Sequence, residues 1–240
     1  MRLQAPREQQ SAMGLLLLGL LYLRCLCPVL RCHPRLLARL AANPTSVPGV
    51  SESAIGVVLA GGASNRMGAP KATLELAGVS LAERVLRVLR AAGLEVALVA
   101  KHGDSLPDTG APVWIESRVE RHPAAGIVEA LERATGPVFV CACDMPFVTP
   151  GLVAQLAALP GTAVPEAGGR LHPLLARYDP AATPALATAL DGRASLHDAV
   201  REAGATIVPE AEIARFGDPD RLLFNINTPA DLAQAERLLA

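Results

Sequence analysis

The 240-residue sequence is poor in aromatic residues, with one Trp, two Tyr and four Phe. So few rings cannot build a base-stacking platform along a nucleic-acid strand. Lysine is scarcer still. Lys71 and Lys101 are the only two, so twenty of the twenty-two basic residues are Arg. The formal net charge is −1, yet residues 1–50 hold six Arg and one Glu, which leaves the remainder at −6 with no basic stripe. That distribution excludes a nucleic-acid groove. Cysteine is present at an odd count of five (Cys25, Cys27, Cys32, Cys141, Cys143), with no CxxC pair and no His at zinc-finger spacing. Neither a disulfide framework nor a structural zinc is expected. Cys141 and Cys143 lie two apart on an expected strand and should face one side as small core residues.

A hydrophobic run long enough to span a bilayer is also missing. The apolar stretch at residues 13–23 follows Arg2 and Arg7 and stops at Arg24. Eleven residues are too few for a spanning helix, and no small-x-small cleavage site follows before Pro44. Three readings compete for this region: a poor signal or anchor, an amphipathic segment touching a membrane, or an extension outside the working protein. The last is favoured, with Pro34, Pro44, Pro48 and Gly49 forming a linker. Residues 51–240 then form one domain, with no stable membrane insertion.

Two familiar phosphate loops are absent as well, since the chain has neither GxxxxGK[ST] nor GxGxxG. What it does have is a glycine-rich stretch, residues 59–71, that follows an apolar run at 55–60 and carries Gly61, Gly62, Gly68, Arg66 and Lys71. Glycines let backbone N–H groups approach an anion, and the two cations can neutralise a polyphosphate from the side. In so Arg-biased a chain, Lys71 is the informative member, a compact charge suited to phosphate oxygens.

The 55–60 run suits a strand buried on both faces. Ser80 and Glu83 form a capping-box pattern ahead of an amphipathic helix that Gly93 ends. Strands are expected at 94–100, 113–115 and 137–143, with a helix at 124–133 between the last two. Beyond Asp144, Thr149-Pro150 opens a helix, strands are expected at 162–165, 171–178, 206–208 and 222–226, and helices at 180–190 and 195–203. Thr228-Pro229 opens the last helix. The alternation implies an α/β fold, a mostly parallel sheet with helices on both faces.

Ligands bind in the crevice beyond the carboxyl ends of such strands. The 61–71 loop and Asp144 both follow such ends, so a phosphate cradle and a carboxylate should share one cleft. Asp144 is a candidate for Mg²⁺, which takes one or two carboxylates together with substrate phosphate oxygens. The alternative is that Asp144 only caps its loop.

Five motifs then occur in order: LAGGASNRMGAPK at 59–71, HPAAGI at 122–127, CDMPF at 143–147, LHPLLARY at 171–178 and NINTPADL at 225–232. Together they resemble the nucleoside-triphosphate transferase family, and within it the molybdenum cofactor guanylyltransferase branch, over residues 54–240. The resemblance implies a Rossmann-like three-layer sandwich of the nucleotide-diphospho-sugar transferase type. It implies a cytoplasmic, Mg²⁺-dependent enzyme that transfers GMP from GTP to molybdenum-bound molybdopterin and releases pyrophosphate. Leu59, Ala60, Gly61 and Gly62 would meet the nucleoside, Arg66 and Lys71 the triphosphate, and Asp144 the metal and nucleotide. Asn225 and Asn227 would lie near the reacting phosphates and pterin, and His172 and Pro173 in a substrate-side loop. Asn227 could instead serve only as part of the final helix cap, as Thr228 is expected to. Transient contact with proteins that deliver molybdopterin or mature molybdoenzymes is implied, on a monomer or weak oligomer.

Two positions depart from the family pattern. An Asn often follows the second strand, where this chain has Lys101, and an Asp often precedes the HPAAGI region, where Glu116 stands instead. Glu116 is the candidate replacement for nucleotide contact. His102, His122 and His197 read as surface or structural residues. A cytidylyltransferase acting on the same cofactor is the nearest rival, and Gly62, where that branch tends to show LAAG, separates the two. A sugar-phosphate nucleotidyltransferase fits HPLLARY and NINTPADL less well. A non-catalytic nucleotide- or pterin-binding protein would have no need of Arg66, Lys71 and Asp144 together.

Overall fold

The computed structural model describes residues 54–61, 69–118 and 122–239. The expected extension at 1–50, its 13–23 run, and Gly62 and Arg66 all lie outside these residues.

β1 (Ile55–Leu59) enters the core directly, buried on both faces as its unbroken apolar sequence requires. β2 (Glu75–Leu76) and β3 (Val79–Ser80) form a small antiparallel hairpin. Its turn residues, Ala77 and Gly78, have φ of 52° and 72°, the left-handed geometry of two-residue hairpins. α1 (Leu81–Ala91) starts where Ser80 Oγ accepts from the Glu83 N–H at 3.3 Å. The Glu83 carboxylate pairs with Arg87 and Arg90. β4 (Val96–Ala100) and β5 (Val113–Ile115) follow, then α2 (Pro123–Ala134), β6 (Val138–Ala142) and α3 (Pro150–Ala157).

β7 (Ala163–Ala167), β8 (Arg170–Leu171) and β9 (Leu175–Tyr178) come next. The single strand expected at 171–178 is thus two, broken at His172–Pro173, where the Leu175 N–H turns back to the His172 carbonyl at 2.9 Å. α4 (Thr183–Leu190), α5 (Leu196–Glu202), β10 (Thr206–Val208), α6 (Glu210–Ile213), α7 (Pro219–Leu222) and α8 (Pro229–Leu239) complete the described chain. The strand expected at 222–226 does not form. Asp218 caps α7 with Pro219 at its first position, and the apolar run that follows divides between two core clusters instead of joining the sheet.

Eight of the described strands make one sheet in the order β10-β7-β9-β6-β1-β4-β5, with β8 on β7. β6, β1, β4 and β5 are parallel, whereas β9 runs antiparallel to both β6 and β7. α1 and α3 pack on one face with Val58, Phe139 and Cys141; α2, α4 and α5 pack on the other with Val57, Val138 and Val140. This is the expected three-layer α/β fold. Strand order reverses at β1, with β4 and β5 to one side and β6 to the other. That reversal opens a crevice beyond the carboxyl ends of β1 and β6. A third small cluster of Leu76, Leu81, Phe147, Ile226 and Ala235 ties the hairpin and α8 to the loop after β6.

Among the described residues no helix is long and apolar enough to cross a membrane.

Candidate active site

The crevice holds a cleft of about 540 Å³. From the end of β1 and the residues that follow it come Leu59, Ala60 and Gly61; from the loop after β6, Cys143 and Asp144. A Cβ on Gly61 would already touch Asp104 Oδ2 at 3.4 Å and Glu116 Oε1 at 3.5 Å, so the missing side chain keeps this wall open. The backbone of the wall is fixed by the sheet, with the Ala60 N–H donating to Val99 O at 2.8 Å and the Cys143 N–H to Leu59 O at 3.2 Å.

Lys71 opens a short 3-10 turn, Lys71–Thr73, behind Pro70. Its Nζ donates to Asp144 Oδ2 and to Asn227 Oδ1, both at 2.7 Å. The Asp144 side chain is only 15% exposed, and its other oxygen, Oδ1, is buried with no hydrogen-bond partner among the described residues. A carboxylate oxygen in that condition carries a desolvation cost that a cation or a donor would relieve. The loop after β6 is held against the C-terminal segment, since the Ile226 N–H donates to the Asp144 carbonyl at 2.9 Å. Phe147 supports this junction, packing on Phe224 with ring centroids 6.0 Å apart and lying under the Arg221 guanidinium.

On the opposite wall, Lys101 Nζ donates to Glu116 Oε2 at 2.5 Å. β4 and β5 end side by side, where the Glu116 N–H donates to Ala100 O at 2.8 Å, and this adjacency brings the pair together. Asp104 Oδ2 accepts from the Lys101 N–H at 2.8 Å and closes the loop after β4. His122 caps α2, its Nδ1 accepting from the Ala124 N–H at 3.2 Å, so a neutral ring carries its proton on Nε2.

Leu59, Ala60, Gly61, Lys71, Glu116 and Asp144 therefore converge on one cleft, and Asn227 joins them through Lys71. Asn227 also contributes its N–H to the end of α8, donating to Asp231 Oδ2 at 2.9 Å, while Thr228 Oγ1 accepts from the Asp231 N–H. Its backbone serves the helix and its side chain serves the site. Asn225, His172 and Pro173 do not line the cleft. Asn225 Nδ2 donates to Leu223 O, and the Pro173 carbonyl accepts from the Tyr178 hydroxyl at 2.7 Å. Burial, with Arg170 and His197 nearby, pushes the His172 imidazole below its ordinary value. Leu174, the next residue of that loop, does line the cleft.

Lys101, His102, Asp104 and His122 line the cleft although their sequence did not mark them as site residues. The available signal was the scarcity of lysine, because both lysines of the chain are here. Cys143 also lines the cleft, but burial and the Asp144 charge push its thiol up to about 12, which disfavours the thiolate a nucleophile needs.

Residues 56–207 match the MobA-like NTP transferase domain family. A probable molybdenum cofactor guanylyltransferase of Pelotomaculum thermopropionicum is 33% identical over 187 residues, covering 76% of this chain and 91% of that protein. A molybdenum cofactor guanylyltransferase of Mesorhizobium japonicum is 35% identical over 204 residues, covering 77% and 95%. Among solved structures, molybdopterin-guanine dinucleotide biosynthesis protein A of Archaeoglobus fulgidus superposes with a TM-score of 0.64 at 27% identity, covering 77% of this chain and 97% of that one. On the fold, the cleft and these matches together, the chain belongs to the MobA-like NTP transferase family.

Proposed function

We propose that this protein transfers GMP from GTP to the phosphate of molybdenum-bound molybdopterin and releases pyrophosphate. The relatives named as guanylyltransferases support GTP over CTP as the donor. The observation that carries the chemistry is the Lys71–Asp144 pair, with Asp144 Oδ1 left without a partner among the described residues in the cleft that Gly61 also lines.

In the reaction, an oxygen of the acceptor phosphate bonds to the α-phosphorus of GTP while the bond from that phosphorus to the bridging oxygen breaks, and the electron pair leaves with pyrophosphate. Such a transfer depends on positioning and charge stabilisation. Leu59, Ala60 and Gly61 hold the nucleoside end, with Glu116 offering a carboxylate acceptor to its N–H or O–H groups. Lys71 stabilises charge on the phosphates and is itself aimed by Asn227. Arg66 is proposed to add a second cation. The acceptor is already anionic, so no general base is assigned.

The cleft residues fit a Mg²⁺ ion. Among the described lining residues two lysines face three carboxylates, Asp104, Glu116 and Asp144, so that even with Arg66 added the positive charge falls short of a triphosphate's, and Asp144 Oδ1 is poised as a ligand. Mg²⁺ bound there would draw charge from the triphosphate oxygens. His172, Pro173 and Asn225 would act on the pterin side. A cytoplasmic setting suits these substrates, with transient contact to proteins that deliver or receive the cofactor.

Calorimetric titration of the full chain with GTP and CTP, with and without Mg²⁺, tests this reading. GTP should bind more tightly, and the Mg²⁺ effect should vanish in Asp144→Ala. Equal or tighter binding of CTP would overturn the donor assignment.

A further inference from the structure

Glu129 is charged, only 4% exposed, and outside the set of cleft-lining residues. A buried carboxylate is costly unless its oxygens are well partnered, and these are. Oε2 accepts from the Ser117 N–H at 3.0 Å and from the Ser117 hydroxyl at 2.8 Å, and Oε1 accepts from Arg133 Nε at 2.8 Å. Burial pushes this carboxyl upward, but the Ser117 and Arg133 hydrogen bonds outweigh that and hold it below the ordinary range.

The arrangement concerns the residue next to Ser117. Glu116 is in the cleft with its side chain 7% exposed and bonded to Lys101. Three residues before Glu129 on the same face of α2 is Gly126, and a Cβ there would sit 3.1 Å from Glu116 Oε1 and 3.0 Å from Leu59 Cδ2. The helix therefore removes a side chain where the Glu116 carboxylate lies and supplies an anchor one residue further along. Arg133 adds a 3.4 Å contact to the Ile115 carbonyl, so the chain is tethered on both sides of Glu116.

We infer that Glu129 is a positioning residue, which by gripping Ser117 holds the Glu116 carboxylate and its Lys101 partner in register with the nucleoside end of the cleft. The identity of the ligand rests on the proposed function; the positioning role holds for whichever nucleoside triphosphate the cleft takes.

The test combines Glu129→Gln, Glu116→Ala and the double variant of the full chain, each checked for thermal unfolding, with GTP, CTP, ATP and UTP as probes. For the triphosphate that binds, Glu129→Gln should raise Kd and KM by about tenfold with kcat within about twofold, the mark of lost ground-state contacts. In the Glu116→Ala background the same substitution should add nothing, because its target is gone. An equal further loss in both backgrounds, or no change in a folded Glu129→Gln, overturns the inference. If Glu129→Gln does not fold, Ser117→Ala decides: a weaker change in the same direction supports the role, and unchanged binding overturns it. Preference for a triphosphate other than GTP would fail the proposed function alone, while no binding of any of the four would overturn both.

Discussion

Lys71 Nζ lies 2.7 Å from Asp144 Oδ2, joining residues 73 positions apart in the chain across the crevice between β1 and β6. The contact places a cation and a half-satisfied carboxylate where the strand order reverses. Lys71→Ala and Asp144→Ala should each lower pyrophosphate release by about a hundredfold or more, the scale for charges aimed at a transition state. Thermal unfolding should show both variants still folded, since both side chains point into the cleft.

Asn227 and Thr228 are neighbours with separable tasks. Asn227→Ala removes the second acceptor for Lys71 and should reduce kcat by about tenfold, with the cap on α8 retained. Thr228→Ala removes the hydroxyl that accepts from Asp231 and should cost about 1 kcal/mol of stability, with kcat little changed. Steady-state kinetics and denaturant titration on the two variants will show whether the tasks divide this way.

Gly126→Ala brings a methyl group against Leu59 and Glu116 at the nucleoside end. The methyl should raise KM for the nucleotide by several-fold, on the order of 1 kcal/mol, because the Glu116 carboxylate must shift to admit it. The intended readout is KM beside kcat.

Acid should weaken the Glu129 clamp. Its carboxyl is depressed in the folded protein, so its stabilising contribution is present above the ordinary glutamate range and is lost as pH falls through the folded-state value. The difference in unfolding free energy between wild type and Glu129→Gln should therefore be constant near neutral pH and shrink in acid. Denaturant titrations from neutral pH down to about pH 3 follow that window.

Cys143 offers a negative test of the cleft chemistry. With its thiol pushed up to about 12 and 4% exposure, it should resist alkylation at pH 8 even though it lines the cleft. Mass spectrometry after iodoacetamide treatment should find it unmodified.

Much of this arrangement is readable from residue patterns because local signals agree with the global fold. The Ser80 start of α1, the unbroken apolar β1 and β6, the glycine-rich stretch after β1 that leads to Lys71, and Asp144 just past β6 all point one way. The apolar run at 222–226 misleads, since a short buried segment has no periodicity that distinguishes a strand from an irregular chain. The β2–β3 hairpin escapes notice because Ala77 occupies a left-handed position usually marked by Asn, Asp or Gly. Lys101 gains its role only when β4 and β5 pair and bring Glu116 beside it. Glu129 carries no local signal, and its task depends on which way Ser117 points, a tertiary fact.

Guanylyl transfer at the Lys71–Asp144 cleft is tested most directly by incubating the full chain with molybdenum-bound molybdopterin, Mg²⁺ and an equimolar mixture of GTP and CTP, then following pyrophosphate and the mass of the pterin product. The product should be heavier by GMP, formed by the wild type and lost in Asp144→Ala. A product heavier by CMP, or pyrophosphate release undiminished in Asp144→Ala, would contradict it.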